Sequence, residues 1–136
     1  MKIKFDISYL KVVVLISALI IFARTIGPQS TEAKIQSDTS QLIDILVMMR
    51  STIGLYKAMN GGQAPAVDSA KEFEQIFIEH SRNFGHYFHG IPVNPFNGKN
   101  TVRLDGPAAG ANKAGWRLDS QTWYFQADND KTCAGL

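Results

Sequence analysis

Apolar residues before Asn60 follow two different patterns. Val12–Ala23 is a continuous run without a charged residue, flanked by Lys11 and Arg24. Beyond Pro28, apolar positions recur at the three- and four-residue spacings of a single helix face. The first pattern predicts a segment that meets a membrane, and the second predicts an amphipathic helix that packs on a folded domain.

The amphipathic stripe is the predicted core face of this helix, and its members are Ile35, Leu42, Leu46, Met49, Ile53 and Tyr56. A second apolar set lies off that face and predicts neighbours on another side of the helix: Ile43, Ile45, Val47 and Leu55. Proline removes a backbone donor, so we expect Pro28 to bend or restart the helix, with Ser30 or Thr31 as a new cap. The glycines of Asn60-Gly61-Gly62 are predicted to end it.

The second half of the chain predicts a short helix followed by a small sheet. Ser69 and Glu72 have the spacing of a capping box, and Phe73, Ile76 and Phe77 form an apolar face after it. Two prolines and three glycines between Phe84 and Gly98 predict a structured loop with a turn at Asn97-Gly98. Strands are expected at 100–104, 115–119 and 122–127, with a turn at Ser120-Gln121. The predicted fold class is α+β, with a long helix on a small antiparallel sheet.

The leading apolar run is predicted to be a membrane anchor. A spanning helix needs about 20 apolar residues, so Lys11 and Arg24 would have to extend toward the two interfaces. Three lysines precede the run and one arginine closely follows it, which places the N-terminus in the cytoplasm and the rest outside. The predicted division is an anchor over 1–27 and a globular domain over 28–136. The predicted anchor and assembly residues are Asp6, Tyr9, Val12, Val13, Leu15, Ile16, Leu19, Ile20, Phe22 and Pro28.

A cleaved secretory signal is the alternative interpretation of the same run. Its basic start and its apolar length fit such a signal. The cleavage site fits less well, because signal cleavage requires a small residue at the position that Ile21 occupies in Ile21-Phe22-Ala23. We therefore expect a retained anchor.

Charge and composition exclude some classes of function. The chain has 14 Lys and Arg against 12 Asp and Glu, a formal charge of +2, and no basic block of the kind that follows a phosphate backbone. No nucleic-acid partner is predicted. The single cysteine, Cys133, cannot form an internal disulfide and is read as a tail residue.

No catalytic residues are predicted. The phosphate-binding loop pattern fails at Gly98-Lys99, and neither a Gly-x-Ser-x-Gly elbow nor a His-Glu-x-x-His pair occurs. His86 and His89 could share a metal, but Gly85 and Gly90 bracket them and favour loop or surface histidines. The chain is predicted not to be an enzyme.

Five segments in order resemble the type IV pilin-like superfamily, most closely the major pseudopilin of type II secretion systems. They are the apolar run ending in Pro28, the helix start at 30–34, the helix end at 49–57 before Asn60-Gly61-Gly62, the loop at 91–98 and the hairpin that begins at Gly115-Trp116. The resemblance covers residues 5–127. It implies a pilin-like fold, with the long N-terminal helix packed on the sheet and the short second helix in the connecting loop.

The resemblance also implies a function. Such proteins are stored in the bacterial inner membrane and assemble into a filament through N-terminal helix packing, with periplasmic or extracellular heads. The implied partners are copies of this chain or related pilins, the inner membrane and an assembly machinery, in type II-like protein secretion or surface attachment. The alternative is a monomeric, membrane-anchored or secreted small binding module.

The sequence departs from this family at three positions. Lys4 stands where the family has the glycine that precedes its processing site, and Tyr9 stands where it has a glutamate. Asp6 is then the only acid ahead of the apolar run that could pair with a charge there. Trp123 stands where a glycine commonly follows the threonine of the last hairpin.

Major pseudopilins commonly hold Ca²⁺ in their C-terminal loops, so the resemblance makes calcium a possible cofactor. Carboxylate oxygens suit this ion, and the candidates are Asp119, Asp128 and Asp130. The other interpretation of Asp128-Asn129-Asp130 is a hydrated acidic tail without a cofactor, and spacing alone favours that one.

Overall fold

The computed structural model describes the backbone of residues 7–83 and 90–136. It describes side chains from Thr31 onward within these ranges, except those of Ser81 and Asn83. The chain separates into two compact units, one ending at Ser37 and the other comprising Asp38–Leu136. The order of elements is α1 (Ile7–Met59), α2 (Ala70–Asn83), β1 (Val102–Leu104), β2 (Trp116–Leu118), β3 (Phe125–Ala127) and α3 (Lys131–Ala134). The fold class is therefore α+β, with a long helix and a three-stranded sheet.

Helix α1 continues through Gly27 and Pro28 without interruption, so the predicted restart with a cap at Ser30 or Thr31 is wrong. A proline lacks one N–H donor, but the hydrogen bonds of neighbouring turns can keep a helix going past it. The predicted end is confirmed. Gly61 and Gly62 have φ values of +66° and +84°, and Gly62 N–H donates to the Lys57 carbonyl.

The predicted core stripe of α1 is confirmed in its central part. Leu42, Leu46, Met49 and Ile53 are buried, together with Ile45 from the second apolar set. Ile35 is 52% exposed, so its assignment to the core was wrong. Ile35 lies in the first unit, before the part of α1 that packs on the sheet and α2.

The Ser69 half of the predicted capping box of α2 forms, and the Glu72 half is shifted by one residue. Ser69 Oγ accepts the Glu72 N–H at 3.2 Å, and the Glu72 carboxylate accepts the Asp68 N–H at 2.8 Å. Phe73 and Phe77 are buried in the same cluster as the α1 stripe, and Ile76 is half-buried. The local pattern therefore predicted both the start of α2 and its packing face.

The sheet is mixed, and the prediction of an antiparallel sheet was wrong for one of its two strand pairs. β2 and β3 pair antiparallel, but β1 and β2 pair parallel, with Arg103 opposite Arg117. Residues 105–115 carry the chain back to the starting end of β1, where the Thr101 carbonyl accepts the N–H groups of Gly115 and Trp116. A parallel pair needs such a return, because a tight turn can only reverse the chain.

Two faces of the sheet have opposite character. The inner face carries four buried side chains that join the α1 stripe in one core: Trp116, Leu118, Phe125 and Ala127. The outer face carries Arg103, Arg117 and Gln126 at one register. The described part of the loop before β1, residues 90–98, is structured as predicted, because buried Asn94 donates to the Gly115 carbonyl and accepts the Phe96 N–H.

Candidate functional site

The side of α1 that faces away from the core is the first candidate surface. Between Ile43 and Met59 its exposed residues are Ile43, Asp44, Val47, Ser51, Gly54, Leu55, Ala58 and Met59. We call this set the outer face of α1. Val47 and Met59 are 58% and 60% exposed, and Asp44 is the only ionisable member of the set. A solvated helix face normally carries charges, so this face is unusually apolar.

Both basic residues of this part of α1 point to the part of the fold that follows α1, residues 60–136, which we call the head. Arg50 donates to the carbonyls of Phe125 and Leu136 at 2.9 and 2.8 Å, and its guanidinium lies 4.4 Å from the centre of the Tyr124 ring. Lys57 donates to the Thr122 carbonyl at 3.3 Å. Because of these contacts, the positively charged groups of Arg50 and Lys57 do not lie on the outer face.

Gly54 lies in the middle of the outer face. A β-carbon built at this position would meet nothing within 4 Å. Glycine inside a helix costs about 1 kcal/mol relative to alanine. The described part of the fold therefore gives no reason for a glycine at this position.

The predicted anchor residues lie in or before the first part of α1. Asp6 lies outside the described residues. The other nine, from Tyr9 to Pro28, have helical backbone, but their side chains are outside the description. Across the part of the chain that is described, no helix combines the length and the apolar character that a bilayer crossing requires.

Asp128 lies at the centre of a polar cluster in the described part of the head. Its carboxylate is fully buried and accepts two hydrogen bonds from Arg103, from Nε at 2.9 Å and from Nη2 at 2.6 Å. It also accepts four backbone N–H groups of the connection that returns the chain from β1 to β2: those of Gly110, Ala111, Lys113 and Ala114. Arg103 further donates to the carbonyls of Asp105 and Ala108.

The electrostatics of this cluster favour the ionised carboxylate. Burial by itself would raise the pKa of Asp128. The hydrogen bonds from Arg103 and from the backbone of Ala114 and Ala111 outweigh burial and hold the pKa at about 2. Asp128 therefore supplies a fixed negative charge that organises the connection. The interpretation of residues 128–130 as a hydrated tail was wrong.

The structure gives the three calcium candidates separate roles. Asp119 Oδ1 accepts the N–H groups of Gln121 and Thr122. The bonds from the Thr122 N–H and hydroxyl, with a smaller contribution from Arg117, lower the pKa of Asp119 to about 2. Asp130 is the N-cap of α3 and accepts from the N–H groups of Thr132 and Cys133. Asp128 belongs to the Arg103 cluster. Among the described residues, no group of three or more His, Cys, Asp or Glu side chains is placed to hold a metal.

The remaining candidates for chemistry are also structural where they are described. His80 packs edge-on against Tyr56, with ring centres 4.4 Å apart, while His86 and His89 lie outside the described residues. Cys133 is a buried free thiol, and burial raises its pKa. Trp116 and Phe125 are fully buried and Trp123 is 9% exposed, so these three aromatic side chains belong to the core, while Tyr124 is 43% exposed.

Sequence reasoning missed Arg103 and Arg50. Both act over long separations, from Arg103 to Asp128 and from Arg50 to Phe125 and Leu136. A signal was present only for Arg103, which alternates with Val102 and Leu104 and so had to lie on the other face of its strand.

No protein-family model, curated protein or solved structure matches this chain.

Proposed function

We propose that this chain is a structural subunit of a pilin-like filament that assembles through its long N-terminal helix, in type II-like protein secretion or surface attachment. Its partners are then copies of itself or related pilins, with the inner membrane as the store and an assembly machinery that moves subunits. The heads are periplasmic or extracellular in this proposal. It assigns no catalytic residue.

The observation that carries the proposal is the division of α1 into a buried and an apolar exposed side. The head covers the side that contains Leu42, Leu46 and Met49, and it leaves the outer face uncovered. That face runs over 43–59, about 25 Å of helix at 1.5 Å per residue. An exposed apolar surface of this kind is typical of protein contacts.

A copy of the same helix fits this face better than other classes of partner. The face holds one acidic side chain and no basic one, so it offers nothing to an anionic lipid surface or to nucleic acid. A standard protein contact buries about 800 Å² on each partner, which is more than a single helix face of this length provides. Parallel copies would extend the contact into the apolar run Val12–Ala23 of the same helix. Helices that exchange lipid for each other keep that run away from water in both states.

Electron microscopy of the native chain tests the proposal. The full chain, expressed with the envelope machinery of its host, is expected to form filaments, and Val47→Lys is expected to abolish them by placing a charge in the contact. Gln75→Lys is the matched control, because Gln75 is exposed on α2 away from the outer face of α1. A chain that stays monomeric in mild detergent and never forms filaments would overturn the proposal and favour the binding module.

A further inference from the structure

Two Asn-Gly dipeptides occur in the chain, Asn60-Gly61 and Asn97-Gly98. Glycine has no β-carbon, so its backbone nitrogen can approach the carboxamide of the preceding asparagine closely. The two dipeptides share this chemistry, but the structure places them in opposite surroundings.

In Asn97-Gly98, hydrogen bonds hold both the carboxamide of Asn97 and the backbone nitrogen of Gly98. Asn97 Nδ2 donates to Asn112 Oδ1 at 3.0 Å and to the Ala114 carbonyl at 2.9 Å, and Asn97 Oδ1 accepts the Lys99 N–H at 3.1 Å. Gly98 N–H donates to the Asn94 carbonyl at 2.8 Å. The carboxamide and the attacking nitrogen are thus fixed by partners that a reaction would have to displace.

Asn60-Gly61 has far less restraint. Asn60 is exposed and lies directly after the last residue of α1, and among the described residues its side chain makes one hydrogen bond, from Nδ2 to the Tyr56 carbonyl at 2.8 Å. Within the described part of the chain, Gly61 N–H has no hydrogen-bond acceptor. The backbone on either side of Gly61 N is held by the bonds of the Asn60 and Gly62 N–H groups to the carbonyls of Tyr56 and Lys57. Within the described residues, however, only the solvent-exposed bond from Nδ2 restrains the Asn60 carboxamide itself.

We propose that Asn60 is a site of spontaneous modification, in which its side-chain amide is converted to a carboxylate while Asn97 is protected. Hydroxide from solvent takes the proton of Gly61 N, and this nitrogen forms a bond to Asn60 Cγ. The Cγ–Nδ2 bond breaks as water returns a proton to Nδ2, and the nitrogen leaves as ammonia, which gives a five-membered imide and regenerates hydroxide. Water then opens the imide at either carbonyl and yields aspartate or isoaspartate. The net reaction consumes one water and releases one ammonia.

The product carries a new negative charge at the C-terminal end of α1. That end has a partial negative charge from the aligned peptide groups, so the carboxylate is disfavoured there. The product also loses the donor that Asn60 gives to the Tyr56 carbonyl. The modification therefore loosens the last turn of α1, which carries Met59 of the outer face and Lys57, the residue bound to the Thr122 carbonyl.

Peptide mass spectrometry of the folded full chain tests the proposal. The chain is incubated in mildly alkaline buffer with mild detergent, and conversion at the two sites is followed in the same sample. Asn60 is expected to convert at least about tenfold faster than Asn97, since each tenfold corresponds to about 1.4 kcal/mol of local opening at the protected site. In denaturant the ratio is expected to fall toward one, because both sites are followed by glycine. Equal rates in the folded chain, or faster conversion at Asn97, would overturn the proposal.

The variant Asn60→Asp tests the consequence separately. Hydrogen exchange of the backbone N–H groups of residues 60 and 62, which bond to the carbonyls of Tyr56 and Lys57, is expected to become faster in this variant. Unchanged exchange at both positions would contradict the proposed loosening of the helix end.

Discussion

Arg103 and Asp128 form a two-bond ion pair in which the carboxylate is fully buried and the arginine side chain is 14% exposed. The same carboxylate holds four N–H groups of the connection between β1 and β2. A parallel pair of three-residue strands therefore depends on one acidic side chain, because that side chain satisfies the backbone that has to return between them.

Replacing Asp128 by asparagine is expected to destabilise the head strongly. The substitution leaves Arg103 without its counter-charge and turns an acceptor of several N–H groups into a group with one acceptor oxygen. Breaking a buried ion pair by removing one partner costs about 3 to 5 kcal/mol. Urea unfolding of the full chain measures the change. Asp44→Asn is the control, expected within about 0.5 kcal/mol of the native chain because Asp44 is exposed on α1. Similar unfolding midpoints for the two variants would contradict the role of Asp128.

Acid is expected to destabilise the head over a defined range of pH. The pKa values of Asp128 and Asp119 are about 2 in the folded chain, below the ordinary value of 3.8. A lowered folded pKa means that the stabilisation is present above the unfolded pKa and is lost as pH falls through the folded pKa. The urea midpoint should therefore decrease between about pH 4 and pH 2. A midpoint that stays constant over this range would show that neither carboxylate is stabilised by folding.

Gly115 and Gly54 are expected to respond in opposite ways to alanine. A β-carbon at position 115 would lie 2.1 Å from the Lys99 carbonyl oxygen, so the strand start would have to separate from the loop before β1. Gly115→Ala should then lower the free energy of unfolding by more than about 2 kcal/mol, as expected for overpacking. Gly54→Ala should raise it by about 1 kcal/mol in the unassembled chain, because the position is helical and open. Loss of stability at position 54 would contradict the open surroundings described for it.

At position 123, a glycine variant is expected to be more stable than an alanine variant, which is the reverse of the usual order of stability. Its φ is +63°, the left-handed region in which a side chain is strained, and the turn that holds it includes a bond from its N–H to the Asp119 carbonyl. Both Trp123→Ala and Trp123→Gly lose the packing of the indole on Phe73. Trp123→Gly should nevertheless be the more stable of the two by about 1 kcal/mol, because only alanine is strained in this conformation. A more stable alanine variant would contradict the left-handed backbone.

The sequence allowed prediction of those features that depend on neighbours along the chain. The end of α1 at Asn60-Gly61-Gly62, the capping box of Ser69 and Glu72 and the order of the three strands all follow from local patterns. The parallel pairing of β1 and β2 was mispredicted because the connection between them is held by Asp128, which follows β3 and lies 25 positions after Arg103 of β1. The loop after Ser120 was also mispredicted. It runs to Tyr124, because Asp119 holds Gln121 and Thr122 and β3 begins only at Phe125.

The candidate surface was predictable only in part. The second apolar set of α1 indicated a second neighbour, and the structure exposes Ile43, Val47 and Leu55 from that set but buries Ile45. Which of these four residues face outward depends on how the head packs around the helix, and helical spacing alone does not give the width of that contact. Arg50 and Lys57 likewise point away from the outer face because they donate to carbonyls that only the folded head supplies.

Cysteine cross-linking in native membranes tests the central claim that copies of the chain meet along the outer face of α1. The background is Cys133→Ala, and single cysteines are placed at Val47 and, as the control, at Gln75 on α2. Val47→Cys is expected to give disulfide-linked dimers under mild oxidation, and Gln75→Cys is expected to give few or none. Absence of dimers at position 47, or equal yields at both positions, would contradict assembly through this face.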